Sequence, residues 1–468
     1  MMNGIIDDAP FSCDFITENT TANDAAPPEP YSAYRERQAE QQKAAIKSPP
    51  PKLGGMILPA IARAERRAQG IEKPVPLPWS SVSAHFGGGL WSGVHYLISG
   101  TGIGKTTVAL NWALYAARSG IPALYIGLEL EDTQIGLRVI GEAAGIPWSA
   151  LYTGQAGPAL IERARDAAPG LAELPLHVEL ARPQGWPSTE LAQRVEAMRA
   201  LYPETNGSGS APLLVVVDFL QIVGDEHDDR GRSLELRERI GRAAYRCRDC
   251  AARLGASVLV ISSTARDKYG LLDDAVSKAG LVWDTDATGR PVRRRVMKPD
   301  VLVGLGKESG EIESSGDSVS VLARVPGSHD DHGGCDVLLV TAKGRATGAT
   351  WSPLHFTGTS YREADDGGSF VVERLNEQAD ARTAERDRKS EARERAKTDR
   401  VIRDAVSVVK YVLAHDGCSV REARGACVGD ASGRWRAVKD VLGASMASAD
   451  GLHIDTGRLP EEVRSCIG

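Results

Sequence analysis

Ser99–Thr107 reads SGTGIGKTT, and the fold is decided by what flanks it. The stretch follows an apolar run, His95–Ser99, and passes directly into an amphipathic one, Lys105–Arg118. A strand that ends in a glycine-rich turn and reopens as a helix aims several backbone N–H groups at one point, and the helix start adds the positive end of its dipole. Glycine supplies the dihedral freedom so tight a turn demands. Such a cradle suits a polyphosphate. Gly100, Thr101, Gly102, Ile103 and Gly104 would wrap it, and Lys105 would place a charge over the β- and γ-phosphates. The Thr106 hydroxyl would ligate Mg²⁺, and Thr107 completes the segment. The first position of the G-x-x-x-x-G-K-[ST] pattern is Ser99 instead of glycine, at the strand end, where the change leaves the cradle intact.

A cradle of this kind needs an acid on a neighbouring strand. Leu213–Asp218 (LLVVVD) is five apolar residues and one carboxylate, a weak pattern alone and a strong one downstream of a phosphate loop, so Asp218 is read as the second Mg²⁺ group. A base must also orient water. Glu129 lies where the next strand, Ala123–Leu128, ends; Glu131 competes, and Glu129 is preferred because it lies closer to the strand end. Further strands are expected at Leu176–Leu180, Leu213–Val217 and Ser257–Ser262, with helices at Asp132–Ala144, Ser188–Leu201 and Leu234–Leu254 between them. That alternation predicts an α/β fold with a mostly parallel central sheet, and with the phosphate loop and the placing of Glu129 it resembles a RecA-like P-loop NTPase core. Later runs, Ser318–Ala323, Val337–Thr341 and Trp351–Phe356, read as added strands joined by hairpins.

The chain has 468 residues, 42% hydrophobic and 25% charged, with a net charge of -6, so any nucleic-acid contact must come from local basic patches. No apolar run approaches the ~20 residues of a membrane span, and the start lacks the basic and apolar segments of a signal peptide. A cytoplasmic protein without membrane contact is expected. Cys247 and Cys250 form one C-x-x-C pair inside a helical pattern, with no second pair at zinc-site spacing, so reduced helix cysteines are expected.

Residues 1–73 are rich in Ala, Pro, Glu and Gln and are expected to be disordered, with a short helix near Ile61–Ala68. The ATPase domain is expected over 74–374, with a polar insertion at 268–299 that carries Arg293, Arg294 and Arg295. Residues 375–400 form a charged stretch in which Glu385 and Lys389 have the order that supports an exposed helix. Residues 401–468 give helix, helix, turn, helix, hairpin: a winged helix with Arg434, Arg436 and Lys439 on its third helix, or a small α-rich bundle for protein contacts.

Four segments carry a family resemblance. Tyr125–Gly154 (YIGLELEDTQIGLRVIGEAAGIPWSALYTG) resembles the S-L-E-M segment of DnaB-type hexameric replicative helicases, in the style of the compact plasmid and phage members. Val215–Val223 (VVVDFLQIV) is similar to their D-Y-L-Q strand, Gly306–Arg324 to their R-E-S-G-x-I-E stretch, and Thr341–Phe356 to their K-x-R-N-G segment. The order is the family's, over about 75 to 360. The resemblance implies an ATP- and Mg²⁺-dependent ring, a homo-hexamer, that moves on single-stranded DNA in replication. Lys343 and Arg345 would act on a neighbouring subunit's nucleotide, and a loop of Lys307, Glu308, Ser309 and Gly310 would hold strand phosphates, with Gly310 allowing close approach. Arg293–Arg295 are either a second DNA-facing loop or a solvated tip. Ser263, in ISSTAR, stands where the family has a glutamine that senses the γ-phosphate, and a shorter hydroxyl would have to work through water. The N-terminal helical domain that meets primase in the family is not expected in the stretch 1–73, so the primase partnership is not carried over, and partner proteins from replication or a mobile element are expected instead.

The run Gly87–Gly93 (GGGLWSG) resembles RadA- and KaiC-like relatives, which keeps a second reading: a DNA-binding ATPase switch, a recombination mediator or initiator, that does not unwind. A small-molecule kinase would need neither the finger nor the channel segment.

Overall fold

In the computed structural model, the described residues are 52–180, 186–203, 212–222, 234–264, 281–285, 291–295, 302, 303, 305, 309–325, 328, 333–364, 369–427, 431–447 and 451–467, with a few single positions before residue 50. The chain divides into two compact units, Met1–Leu375 and Asn376–Gly468.

In the first unit the order is α1 (Gly54–Ala68), α2 (Ser80–His85), β1 (Gly93–Ser99), α3 (Lys105–Arg118), β2 (Ala123–Gly127), α4 (Asp132–Ala144), α5 (Trp148–Tyr152), α6 (Pro158–Ala172), β3 (Leu176–Leu180) and α7 (Leu191–Leu201). Then come β4 (Leu214–Asp218), α8 (Leu236–Leu254), β5 (Ser257–Ser263), β6 (Leu281–Thr285), β7 (Pro291–Arg295), α9 (Ser309–Ser315), β8 (Ser318–Arg324), β9 (Cys335–Gly344), β10 (Thr350–Phe356) and β11 (Tyr361–Glu363). Among the described residues nine strands form one sheet in the order β11-β10-β9-β8-β1-β5-β4-β2-β3. The six from β8 to β3 run parallel, and β9, β10 and β11 add antiparallel neighbours at one edge.

Both faces of the sheet are covered, which is why its central strands read as continuous apolar runs. Along β1, Val94, Tyr96 and Ile98 pack with Ile240, Ala244 and Cys247 of α8. Leu97 faces the other way, toward Val108 and Trp112 of α3. Along β4, Val215 and Val217 join the first cluster and Leu214 and Val216 the second. This alternation fixes the register of the strands that carry the site. Cys247 and Cys250 are free thiols buried in the first cluster. Burial pushes both up, Cys250 to about 12, so they stay protonated and act as small apolar groups.

Several elements differ from the sequence reading. The stretch expected to be disordered carries, where it is described, the whole of α1, longer than the short helix near Ile61–Ala68; Gly54, Gly55 and an internal Pro59 hide it from propensity. Helix α6 escaped the reading because Pro169 and Gly170 interrupt its pattern, although Pro158 stands at its first turn, where proline fits. The insertion is no loop at Arg293–Arg295. These residues lie on β7, paired antiparallel with Trp283, Val282 and Leu281 of β6. Ser309 and Gly310 do not belong to a loop either; they open α9, and Gly310 has nothing within 4 Å of where a Cβ would stand. A close backbone approach within the chain is therefore not what Gly310 serves.

Helix α10 runs from Ser369 to Ala414, so the charged stretch and the first helix of the C-terminal module are one element. Lys389 meets Glu385 at 2.6 Å on its exposed surface. In the second unit α11 (Val420–Gly425), α12 (Ala431–Leu442), the hairpin β12 (Met446–Ala447) with β13 (His453–Ile454), and α13 (Glu461–Arg464) follow. Val408, Val412, Ala423, Trp435, Val438, Leu442 and Leu452 form their own core. The cap of α11 is reciprocal, Ser419 accepting from the Glu422 N–H while the Glu422 carboxylate takes the Ser419 N–H. On α12, Arg436 and Lys439 are exposed, whereas Arg434 is half-buried and lies 3.9 Å from Asp404. Among the described residues no helix is long and apolar enough to cross a membrane.

Candidate nucleotide site

The loop Gly100–Gly104 lies at the C-terminal end of β1, between the sheet and the start of α3. Gly102 has φ 75° and Gly104 φ 112°, both in the region that L side chains avoid. At Gly104 a second constraint applies: an added Cβ would stand 2.0 Å from the Tyr361 hydroxyl. That hydroxyl donates to the Ile103 carbonyl at 3.1 Å, and Arg324, at the end of β8, donates to the Gly102 carbonyl at 2.9 Å. Two side chains from the added strands thus hold the loop from outside. The Lys105 ammonium lies within the loop, donating to the carbonyls of Ser99 at 3.0 Å and Gly100 at 2.8 Å.

Parallel pairing delivers the other groups. β4 lies two strands from β1 and ends at Asp218, whose carboxylate accepts from the Thr106 hydroxyl and, at 2.5 Å, from Tyr125 of β2. Asp218 is buried, and burial raises its pKa above the ordinary value; the hydrogen bonds from Tyr125 and Thr106 and the charges of Lys105 and Arg138 oppose that rise. The pair read from sequence as Mg²⁺ groups is therefore in direct contact. Two hard oxygens, one a buried carboxylate, fit a magnesium ion. Among the described residues no group of three His, Cys, Asp or Glu side chains is gathered to hold a metal by itself.

Glu129 is exposed, two residues beyond the end of β2, and its charge reaches Tyr125 and Arg138. Glu131 is the N-cap position of α4, although its side chain makes no capping bond. Ser263 ends β5 in register with Ser99. Its N–H donates to Gln221 Oε1 at 3.3 Å, and Gln221 Nε2 donates to Ser262 Oγ at 2.7 Å. Lys307 and Glu308 lie outside the described residues.

Lys343 and Arg345 are not at their own cradle. β9 runs antiparallel to β8, so Lys343 stands opposite Val319 while Arg324 stands opposite Val337. Lys343 donates to the carbonyls of Glu313 and, at 3.2 Å, Gly316; Arg345 donates to the Ser314 carbonyl at 2.9 Å and lies 3.7 Å from Asp317.

Arg138, Gln221, Tyr361 and Arg324 were not singled out from sequence. Arg138 of α4 places its guanidinium 3.9 Å over the Trp148 ring; burial lowers its pKa, and Tyr125, Asp218 and Glu129 oppose that. Arg138 and Gln221 lie inside the quoted segments Tyr125–Gly154 and Val215–Val223, where an arginine in a helix whose neighbours pack, and an amide one turn past Asp218, were the available signals. Tyr361 carried no local signal at all.

Residues 84–270 match the family described as the DnaB-like helicase C terminal domain. No curated protein matches the chain. Among solved structures, an ATPase domain superposes with a TM-score of 0.51 at 15% identity, over 68% of this chain and 100% of that one. A DnaB-like replicative helicase, solved in a study of its interactions with primase, gives a TM-score of 0.51 at 14% identity, over 71% of this chain and 72% of that one. At such identities these likenesses carry the fold, an α/β domain with a mostly parallel sheet, and over residues 84–270 the chain is similar to the DnaB-like helicase C terminal domain.

Proposed function

We propose that this chain is an ATP-dependent DNA helicase or translocase of replication, which hydrolyses ATP at the interfaces of a homo-oligomeric ring, a hexamer, and moves on single-stranded DNA. The observation that carries the shared site is the direction of β9. From Val319, opposite Lys343, to Arg324, bonded to the loop, β8 spans roughly 17 Å at 3.3 Å per residue. Lys343 and Arg345 cannot cover that distance to their own nucleotide, so if they act on a phosphate it is another copy's.

In this reading Gly100–Gly104 and Thr107 wrap the phosphates, Lys105 neutralises them, and Glu129 orients the attacking water from its exposed place beside Arg138. Thr106 and Asp218 would hold Mg²⁺, which supplies charge neutralisation and orientation of the phosphate oxygens when bound. Tyr125 and the Thr106 hydroxyl keep the Asp218 carboxylate aimed. Lys343 and Arg345 offset charge on the transferring phosphate in trans. Ser263, joined through Gln221 to the turn after β4, would pass the state of the γ-phosphate to that turn. Lys307–Gly310, of which Ser309 and Gly310 open α9, and Arg293–Arg295 of β7 are the proposed strand contacts. Partner proteins from replication or a mobile element belong to the same reading.

The test is ATP hydrolysis with and without single-stranded DNA, together with displacement of a labelled strand from forked DNA. The expected result is stimulation by DNA, ATP-dependent displacement, and loss of both in Lys105→Ala. Stimulated hydrolysis without displacement in either polarity would move the assignment to a DNA-binding ATPase switch. No ATP binding would end both readings.

A further inference from the structure

We propose that Arg248 is a third phosphate-binding base on the face that carries Lys343 and Arg345, and that the three together receive the polyphosphate of a nucleotide held by a second copy of this chain. This rests on the shared-site reading above and adds a residue from an element outside its motifs.

Arg248 lies on α8, exposed, on a helix that packs against α9 along its length: a Cβ on Gly241 would lie 3.2 Å from Glu311 Cγ, and Arg237 lies 3.8 Å from the Glu311 carboxylate. Its Nη1 donates to the Ser314 carbonyl at 3.2 Å, and Arg345 Nη2 donates to that same carbonyl at 2.9 Å. Lys343 donates to Glu313 and Gly316 on either side. Three cations from two elements therefore converge on the last turn of one helix.

Backbone carbonyls satisfy donors without cancelling charge. The acids that reach the cluster are Asp317, beside Arg345, and Glu313, beside Lys343. Three bases against two acids leave the face positive. Burial lowers the Lys343 pKa first, and the positive charges of Arg345 and Arg248 lower it further, while Asp317 and Glu313 oppose them. Like charges held this close cost stability unless something anionic relieves them, and the fork of a guanidinium matches phosphate oxygens better than one shared carbonyl. The own cradle is out of reach: Asp317 accepts from the Val94 N–H at 2.9 Å at the start of β1, whereas the cradle follows the end of that strand at Ser99.

The experiment uses the full chain carrying Arg248→Gln, which keeps reach and removes charge, with Arg248→Lys beside it. Four readouts are needed: binding of a fluorescent ATP analogue to dilute chain, binding of single-stranded DNA without nucleotide, sedimentation with a non-hydrolysable ATP analogue, and hydrolysis on mixing with Lys105→Ala. The expected result is unchanged binding at the variant's own cradle, about tenfold weaker nucleotide-driven association, an intermediate effect for Arg248→Lys, and partial rescue on mixing. The Arg345→Ala and Lys105→Ala mixture is the control. Rescue there, with Arg248→Gln behaving as the unaltered chain or failing to be rescued, overturns the role of Arg248 and leaves the shared site standing. Rescue in neither mixture overturns the shared site. Weaker binding of single-stranded DNA without nucleotide, with association unchanged, assigns Arg248 to DNA and overturns the proposal.

Discussion

Replacing Gly104 by alanine puts a methyl carbon 2.0 Å from the Tyr361 hydroxyl, at a backbone φ of 112°. Two costs are separable. The dihedral alone costs an L residue about 1–2 kcal/mol. Relief of the overlap requires the hydroxyl to move, which breaks its bond to the Ile103 carbonyl at a cost of about 1 kcal/mol. The ring has little room to yield, being buried with Trp79 centred at 6.0 Å and Phe356 at 5.0 Å. Gly104→Ala should therefore cost about 2–3 kcal/mol. In a Tyr361→Phe background the hydroxyl is gone and the nearest atom is the ring carbon Cζ at 3.2 Å, so the dihedral cost remains. The coupling in the double-mutant cycle is expected at about 1 kcal/mol, above the ~0.5 kcal/mol within which independent sites add. Urea unfolding of the four chains, followed through tryptophan fluorescence, measures it; Trp79 and Trp112 are buried in the same cluster. Additive costs would refute the packing of Tyr361 on the cradle, and a Gly104→Ala chain with unaltered stability and nucleotide affinity would refute the account of the loop itself.

Asp218→Asn should raise the melting temperature at neutral pH while abolishing Mg²⁺-dependent hydrolysis. Burial makes the charged carboxylate costly, so the folded chain holds this proton more tightly than the unfolded one; the stability it contributes is present below the unfolded value near 3.8 and is lost as pH rises through the higher folded value. Tyr125→Phe removes a hydrogen bond that favours the carboxylate, so the acid limb of the hydrolysis profile should move to higher pH, read from the pH dependence of kcat/KM. Val216→Ala, in the buried centre of β4, should destabilise the first unit by about 1–3 kcal/mol in urea unfolding, as a cavity in a core covered on both faces.

The strand, loop and helix around Ser99–Thr107 were legible because each obeys a local rule: an apolar run, glycines where φ is positive, a helix opened by the lysine. The same holds for Asp218, whose place at a strand end follows from five apolar residues before it. What stayed hidden is set by long-range pairing. Tyr361 meets Ile103 across 258 positions in the chain, and no window of sequence contains both. Ser309 and Gly310 read as loop on the family resemblance alone, yet they open α9, whose Glu311 packs against Gly241 of α8. Arg293–Arg295 read as a DNA-facing loop or a solvated tip because charge suggests an exposed segment, whereas pairing with Leu281–Thr285 makes them a strand. The opposite placement of Lys343 from its own cradle depends on β9 turning back along β8, a fact of topology that a motif does not state.

Mixing Arg345→Ala with Lys105→Ala subunits tests the central claim most directly. Neither chain alone should hydrolyse ATP at a normal rate, since one lacks the base offered to its neighbour and the other lacks its cradle lysine. At equal proportions in a randomly assembled ring, about one interface in four pairs an intact cradle with an intact Arg345. The account predicts that hydrolysis reappears on mixing and varies with the ratio. Activity that stays at the level of the separate variants at every ratio, in assemblies shown to contain both, would contradict a nucleotide site shared between copies.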